Sequence, residues 1–597
     1  MDVIREHRRG ACRKTGAPFN PKRSPPKTLD AVGKLRQLFT MSKKSLLVVA
    51  GLVAVIAAIL AALAALFYLK ESIGPSDAAV LAPEDAVLFV NLTNLPRTAM
   101  RWNETALAKI AAEPDVKAFL EKPLSRLMAE PGGNEAGRIL SMLKPSNIFV
   151  ALAGDPADST DALVGFQYWG GRAAFDVAVA RMRRELPGTE SPAAAEMKHT
   201  DHAILSSKHG TRSIFTATHG RWGFVSTRES LIKKALEKVT GGESGLSGNA
   251  DFQAVKARLP KDPEFLLFMD ARKVLDRVLA AGKTMGAEPI PAQVEMLRAT
   301  RALGAALKLD GELQRDAIFL LRPGGNPGAP LGRKPLRFTG PDTAFYVDFL
   351  TRMDGLPALL KNAGGAIPQS PEIPALVELA AAAYGPECGI VGSWPAGRMA
   401  PAPLVALEIR NPAKAGEFMQ KMLTVFPDAT TGEQGGAKLY SFPSMSTPLA
   451  APTMAQTGEF LLLGLDPSAV AGAATTTGPA PTVESTPAFA GAVSTYASAS
   501  GLFAFVDTRL LFERAYTALR PVIIFGAAVM PGSADWVEAS KLPQTDSVAR
   551  HLAPIVLSGQ RLSDGILVES SGPITMNQAA FAIAAGIALS NAQALLR

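Results

Sequence analysis

Four of the six histidines lie close together: His199, His202, His209 and His219, in KHTDHAILSSKHGTRSIFTATHG, with Asp201 among them. Neutral imidazoles are common ligands of divalent transition metals. Neighbouring strands would let the four approach one another, so these residues are the candidate metal ligands. Two features weigh the other way. The chain has no H-E-x-x-H sequence and no histidine pair at helical i,i+4 spacing. The matching stretch nearer the C-terminus, GGAKLYSFPSMSTPLAAPTMAQTG, contains no histidine. A solvated hairpin edge would ask only for polarity there.

The sharpest polar pattern is D-x-R-x-x-x-[DE]-R, which occurs as Asp270, Arg272, Asp276, Arg277 and again as Asp507, Arg509, Glu513, Arg514. Paired carboxylates could serve acid–base chemistry. Each Asp, however, directly follows an apolar strand-like run and opens a helical pattern, the position of an N-cap that accepts backbone N–H bonds. The spacing predicts capping, with Arg272–Asp276 and Arg509–Glu513 as i,i+4 neighbours. No nucleophile elbow, Walker loop or dinucleotide-binding glycine pattern is present. No catalytic residue is assigned and no cofactor is implied. Two cysteines, Cys12 and Cys388, rule out a disulfide scaffold and a multi-cysteine metal site; Cys388 reads as a buried strand residue.

The elements that would position these groups recur. DAVLFVN (from Asp85) matches DTAFYVD (from Asp342), and LVGFQY (from Leu163) matches LVALEI (from Leu404). WGFVSTRESL (from Trp222) matches FLLLGLDPSA (from Phe460), and FLLFMDARKVLDRVL (from Phe265) matches LFAFVDTRLLFERAY (from Leu502). LDGELQRDAIFL (from Leu309) matches LSGQRLSDGILV (from Leu557). The matches are collinear, so the sequence predicts one module used twice, at 81–322 and 338–573, joined by a Gly/Pro linker at 323–337 with no element of its own. Strand spacings too short for a crossover demand antiparallel pairing. The expected fold class is therefore α+β, with antiparallel-rich sheets and packed helices, and the groove between the modules is the default ligand site. Residues 574–597 end the chain as an apolar helix too short to span a bilayer.

Of 597 residues, 47% are hydrophobic and the formal charge is +8. Residues 1–44 carry twelve basic and three acidic groups, +9, which leaves −1 for the rest. The basic character belongs to a tail with only two aromatic residues, so no nucleic-acid partner is expected. Leu46 to Leu69 is free of charge. As a helix it would extend ~36 Å, enough to cross a ~30 Å hydrocarbon core. The expectation is a single transmembrane helix at 45–69 engaging the lipid bilayer, a tether at 70–80, a cytoplasmic N-terminus and an exported body. A cleaved signal peptide has a shorter apolar region. Initiation at Met41 would remove most of the basic tail.

The segments LAPEDAVLFVNL and FTGPDTAFYVDF, with the single span and the repeated α+β body, resemble an uncharacterised family of single-span bacterial envelope proteins. That resemblance implies a bacterial inner-membrane protein whose main body is periplasmic, and it transfers no activity or site residue. The expected function is a non-catalytic scaffold or binding protein with an envelope protein partner, and assembly from identical copies is compatible with it. An envelope hydrolase with a dispersed site, the histidines included, and a chaperone or assembly factor for exported proteins are the alternatives.

Overall fold

The structure, a computed structural model, describes residues 77–580 except 130–141, 155–160, 171, 186–194, 210–211, 240, 242–243, 285–297, 352–371, 435, 448–449, 476–480, 497–498 and 530–537. The basic tail, the expected span at 45–69 and residues 581–597 lie outside the described residues. Among the described residues no helix is long and apolar enough to cross a membrane.

The first half supplies β1 (Leu88–Leu92), β2 (Pro145–Ala153), β3 (Asp161–Tyr168), β4 (Ala195–His199), β5 (His202–His209), β6 (Arg212–His219), β7 (Trp222–Ser226), β8 (Phe265–Asp270), β9 (Ala302–Asp310) and β10 (Leu313–Leu321). The second supplies β11 (Thr343–Leu350), β12 (Tyr384–Ser393), β13 (Ala402–Ile409), β14 (Thr430–Gln434), β15 (Ala437–Ser441), β16 (Thr453–Gln456), β17 (Phe460–Gly464), β18 (Leu502–Val506), β19 (Ile555–Leu562) and β20 (Gly565–Gly572). All join one antiparallel sheet. Its first half runs β4-β5-β6-β7-β3-β2-β1-β8-β9-β10. From the opposite edge the second half runs β14-β15-β16-β17-β13-β12-β11-β18-β19-β20. The strand order of one half is thus the strand order of the other. They meet where β10 pairs antiparallel with β20, from Gln314 opposite Gly572 to Leu321 opposite Gly565. The protein is mixed α and β with a large antiparallel sheet.

Helices α1 (Leu95–Trp102), α2 (Ala106–Ala112), α3 (Pro114–Ala129), α4 (Arg172–Glu185), α5 (Glu229–Val239), α6 (Ala250–Lys256) and α7 (Ala271–Thr284) belong to the first half. The second has α8 (Ile373–Ala383), α9 (Pro412–Val425), α10 (Pro467–Thr475), α11 (Pro487–Thr495), α12 (Thr508–Val529) and α13 (Thr545–Ala549). Alternating burial along the strands, as in β2 and β3, gives the sheet a face for them to cover. In the first half Phe89, Phe149, Phe252, Phe268 and Trp222 pack with Ile232 and Leu236 of α5. In the second, Tyr346, Phe460, Phe503 and Phe505 pack with Val470 of α10 and Phe489 of α11.

Side chains also tie the halves together. Asp115 of α3 accepts hydrogen bonds from the Ser547 hydroxyl (2.7 Å) and the Gln544 N–H (2.8 Å). Glu113 meets Arg550 and the Nε2 of His551. Arg258 reaches Asp564 at 2.7 Å.

Two stretches read from sequence as connectors are built into the body. Within the expected tether, Ala78–Val80 form a 3-10 turn capped by Asp77, and Ala78, Ala79, Leu81 and Ala82 are buried in the first core. Their small apolar side chains fit there, so Ala78 and Ala79 belong to the body and not to the expected tether. The Gly/Pro linker closes in a 3-10 turn, Lys334–Phe338, with Leu331 and Leu336 buried in the second core. Pro335 lies so close over Gly389 that a Cβ at that glycine would approach it to 2.2 Å. Gly/Pro content hid the two leucines that anchor this strap.

Candidate functional site

The four histidines do not converge as one described group. Hairpin β4–β5 turns on Thr200 and Asp201, and β6–β7 turns on Gly220 and Arg221; Thr200 and Gly220 have positive φ. Both turns lie at one end of the sheet, beside Tyr168 and Trp169 at the end of β3, where the Tyr168 N–H donates to the Arg221 carbonyl at 2.9 Å. Across the β5–β6 ladder this arrangement sets Nε2 of His202 2.5 Å from Nδ1 of His219, ring centroids 4.7 Å apart. One imidazole donates and the other accepts. His199, before the turn, donates instead to Glu237 of α5 at 3.0 Å. His209 ends β5, and its side chain lies outside the described residues. Among the described residues no group of three or more His, Cys, Asp or Glu side chains is arranged to hold a metal ion.

His202 and His219 line a cavity of about 470 Å³ with Asp201, Tyr168, Trp169 and Arg221. The Arg221 guanidinium lies over the Trp169 indole, 3.0 Å from the ring centroid. Such stacking orients a guanidinium without consuming its N–H donors.

A second surface is apolar. On α12, Leu519, Val522, Ile524 and Phe525 are exposed, Phe525 to 70%. Beside them Tyr516, Thr517, Arg520, Pro521 and Thr545 help to line an open groove of about 600 Å³. Pro521 lies inside the helix and has no N–H to offer the Thr517 carbonyl one turn earlier. The sequence match to α7 found the start of this helix and its cap, but not the outward-facing apolar side chains beyond residue 518.

The repeated acid–arginine pattern is structural. Asp270 accepts the Lys273 N–H at 3.1 Å and Asp507 accepts the Leu510 N–H at 2.9 Å, each capping its helix. Arg509 pairs with Glu513 at 3.0 Å as expected, whereas Arg272 turns to Asp251 at 3.1 Å instead of Asp276. Asp251 also holds Arg301, and that doubly bonded carboxylate outcompetes a solvated i,i+4 pair. The final arginines have a job that sequence reasoning missed. Arg277 donates to the Gly154 carbonyl just past β2 (2.7 Å), and Arg514 donates to the Trp394 carbonyl just past β12 (3.3 Å).

One buried acidic pair stands out in the second half. Asp348 on β11 is fully buried, and neither its oxygens nor the Tyr346 hydroxyl reaches a partner with full hydrogen-bond geometry. Burial, together with the neighbouring Glu387 carboxylate, pushes Asp348 up to about 8. Glu387 on β12 accepts the Lys334 N–H of the strap at 2.8 Å. Adjacent Cys388 is buried, as its strand pattern predicted, and burial raises its thiol to about 12.

No protein-family model matches the sequence, and no curated protein matches it. Among solved structures, crystal form IV of TP0453 aligns over 42% of this chain and 83% of its own, with 11% identity and a TM-score of 0.24. Crystal form I of TP0453 aligns over 42% of this chain and 81% of its own, with 10% identity and a TM-score of 0.23.

Proposed function

We propose that the chain is a membrane-anchored, non-catalytic scaffold or binding protein of the bacterial envelope, N-terminus cytoplasmic, with a periplasmic body made from one module used twice. The observation that carries this reading is the exposed apolar face of α12, with Leu519, Val522, Ile524 and Phe525 directed away from the core. Several large apolar side chains exposed on one helix are what an interaction site would present. The matching strand orders support the duplication, and one sheet continuous through β10 and β20 makes a stiff support. The charge-free run at 46–69 behind a +9 tail supports the anchor and its orientation.

A photo-crosslinker at position 525 of the full chain, activated in intact cells, tests this reading. One discrete protein adduct, lost when Val522 is changed to Asp, is expected. Adducts spread over many exported clients would mean a chaperone. Adducts to lipid alone would mean a membrane-lying helix and no partner.

Although His202 and His219 meet in a direct N–H···N contact and His199 turns to Glu237, the grouping of His199, His202, His209 and His219 in the sequence motivates a metal-dependent envelope hydrolase as the second reading. It is excluded if the full chain binds no transition metal and a His199/His202/His209/His219 quadruple alanine variant loses no hydrolytic activity.

A further inference from the structure

We propose that the cavity at the β5–β7 end of the sheet is a binding site for a small oxyanion, a carboxylate or phosphate group, held by Arg221 with His202 and His219. This site is separate from the α12 face and does not depend on the anchored-scaffold reading.

Three chain segments converge to make the site. Trp169 follows β3, Asp201 and His202 come from one hairpin, and His219 and Arg221 come from the next. Arg221 has no carboxylate partner among the described residues, unlike Arg258, Arg301 and Arg337, each of which meets an acid. Its guanidinium is held flat by Trp169, and its fork of N–H donors suits a planar or tetrahedral oxyanion. The two imidazoles touch through one N–H···N contact, which a ligand oxygen can replace by accepting from a ring N–H. Asp201 is the one acid in the lining, against one guanidinium and two imidazoles. A cavity of about 470 Å³ falls within the usual range for small-molecule sites.

The second half provides an internal comparison. The turn after β16 carries Glu459, which pairs with Arg337. There the fold closes the same kind of strand end with an ion pair and no histidine. Sheet packing therefore does not require the His–His–Arg set.

The test uses the purified full chain in detergent, titrated separately with inorganic phosphate and with citrate by calorimetry, with tryptophan fluorescence as a second readout. Binding of at least one anion is expected, weakened at least ~10-fold by Arg221→Ala and by His219→Ala. Unchanged thermal unfolding of both variants shows that they still fold. Arg221→Lys, which keeps the charge but loses the fork, should fall between wild type and Arg221→Ala. The fluorescence change should vanish in Trp169→Phe while binding persists. Phosphate alone or citrate alone identifies the anion class. Failure of both anions to bind overturns the proposal. So does zinc binding that depends on His202 and His219 but not on Arg221, which would make the pair a metal site.

Discussion

Asp348 on β11 occupies the place that Asn91 occupies on β1. Asn91 lies between Phe149 of β2 and Leu266 of β8, and Asp348 lies between Gly389 of β12 and Phe503 of β18. Both are buried, at 3% and 0% exposure. One half therefore meets this interior position with a neutral amide and the other with an ionisable group.

Because burial raises Asp348 to about 8 from an ordinary 3.8, the folded protein holds a proton that the unfolded chain has released. Its contribution is complete below pH ~4 and is lost as pH rises to about 8, at ~1.4 kcal/mol per pH unit and so on the order of 5 kcal/mol across that interval at most. Asp348→Asn should fold, as Asn91 indicates, and should flatten this part of the stability–pH profile. Urea unfolding at pH 5 and pH 8 measures it. An undiminished slope in the variant would assign the dependence to another group.

On α12, Phe525→Asp and Val522→Asp should leave stability within about 0.5 kcal/mol, because both side chains already face solvent. Both should abolish partner capture. Thermal unfolding combined with crosslinking from a neighbouring position separates the two effects. A loss of several kcal/mol would show that the face is packed within the protein.

Helix capping by Asp270 and Asp507 makes a separate claim. Each Asp→Ala substitution should cost about 1 kcal/mol, and the double variant should cost their sum, since the sites share no partner. Neither should affect anion binding at the β5–β7 end. A double variant costing far more than the sum would contradict independent capping.

Buried Asp316 on β10 receives hydrogen bonds from the Thr575 hydroxyl and from Asn577 Nδ2 (2.8 Å), while Gln578 donates to Gln314 at 2.8 Å. This segment therefore latches over the β10–β20 junction. Burial already raises Asp316 above its ordinary value, despite these donors. Thr575→Ala should cost about 1–3 kcal/mol, the range for a buried polar group left short of a partner. The loss should grow with pH as Asp316 ionises, and chemical denaturation at two pH values would detect it.

Much of this architecture was legible because local signals agreed. Short apolar runs before turn residues located β1, β8, β11 and β18, and the Asp that ends β8 and the Asp that follows β18 announced the caps. The partners of Arg277 and Arg514 were not legible, because their acceptors are backbone carbonyls more than a hundred residues away, which carry no sequence signature. The histidine site was half legible. Composition grouped four residues, but the hairpin register decides that His202 meets His219 while His199 meets Glu237. The strap was misread because Gly and Pro outnumber Leu331 and Leu336.

The antiparallel meeting of β10 with β20 has a further consequence. Like strands facing each other across a local two-fold are what two separate subunits would use to associate. On the proposed duplication, one polypeptide now makes that association independent of concentration. It also lets each copy diverge alone. The His202–His219 pair exists on one side and the Asp348–Glu387 pair on the other, an asymmetry that two products of a single gene could not encode.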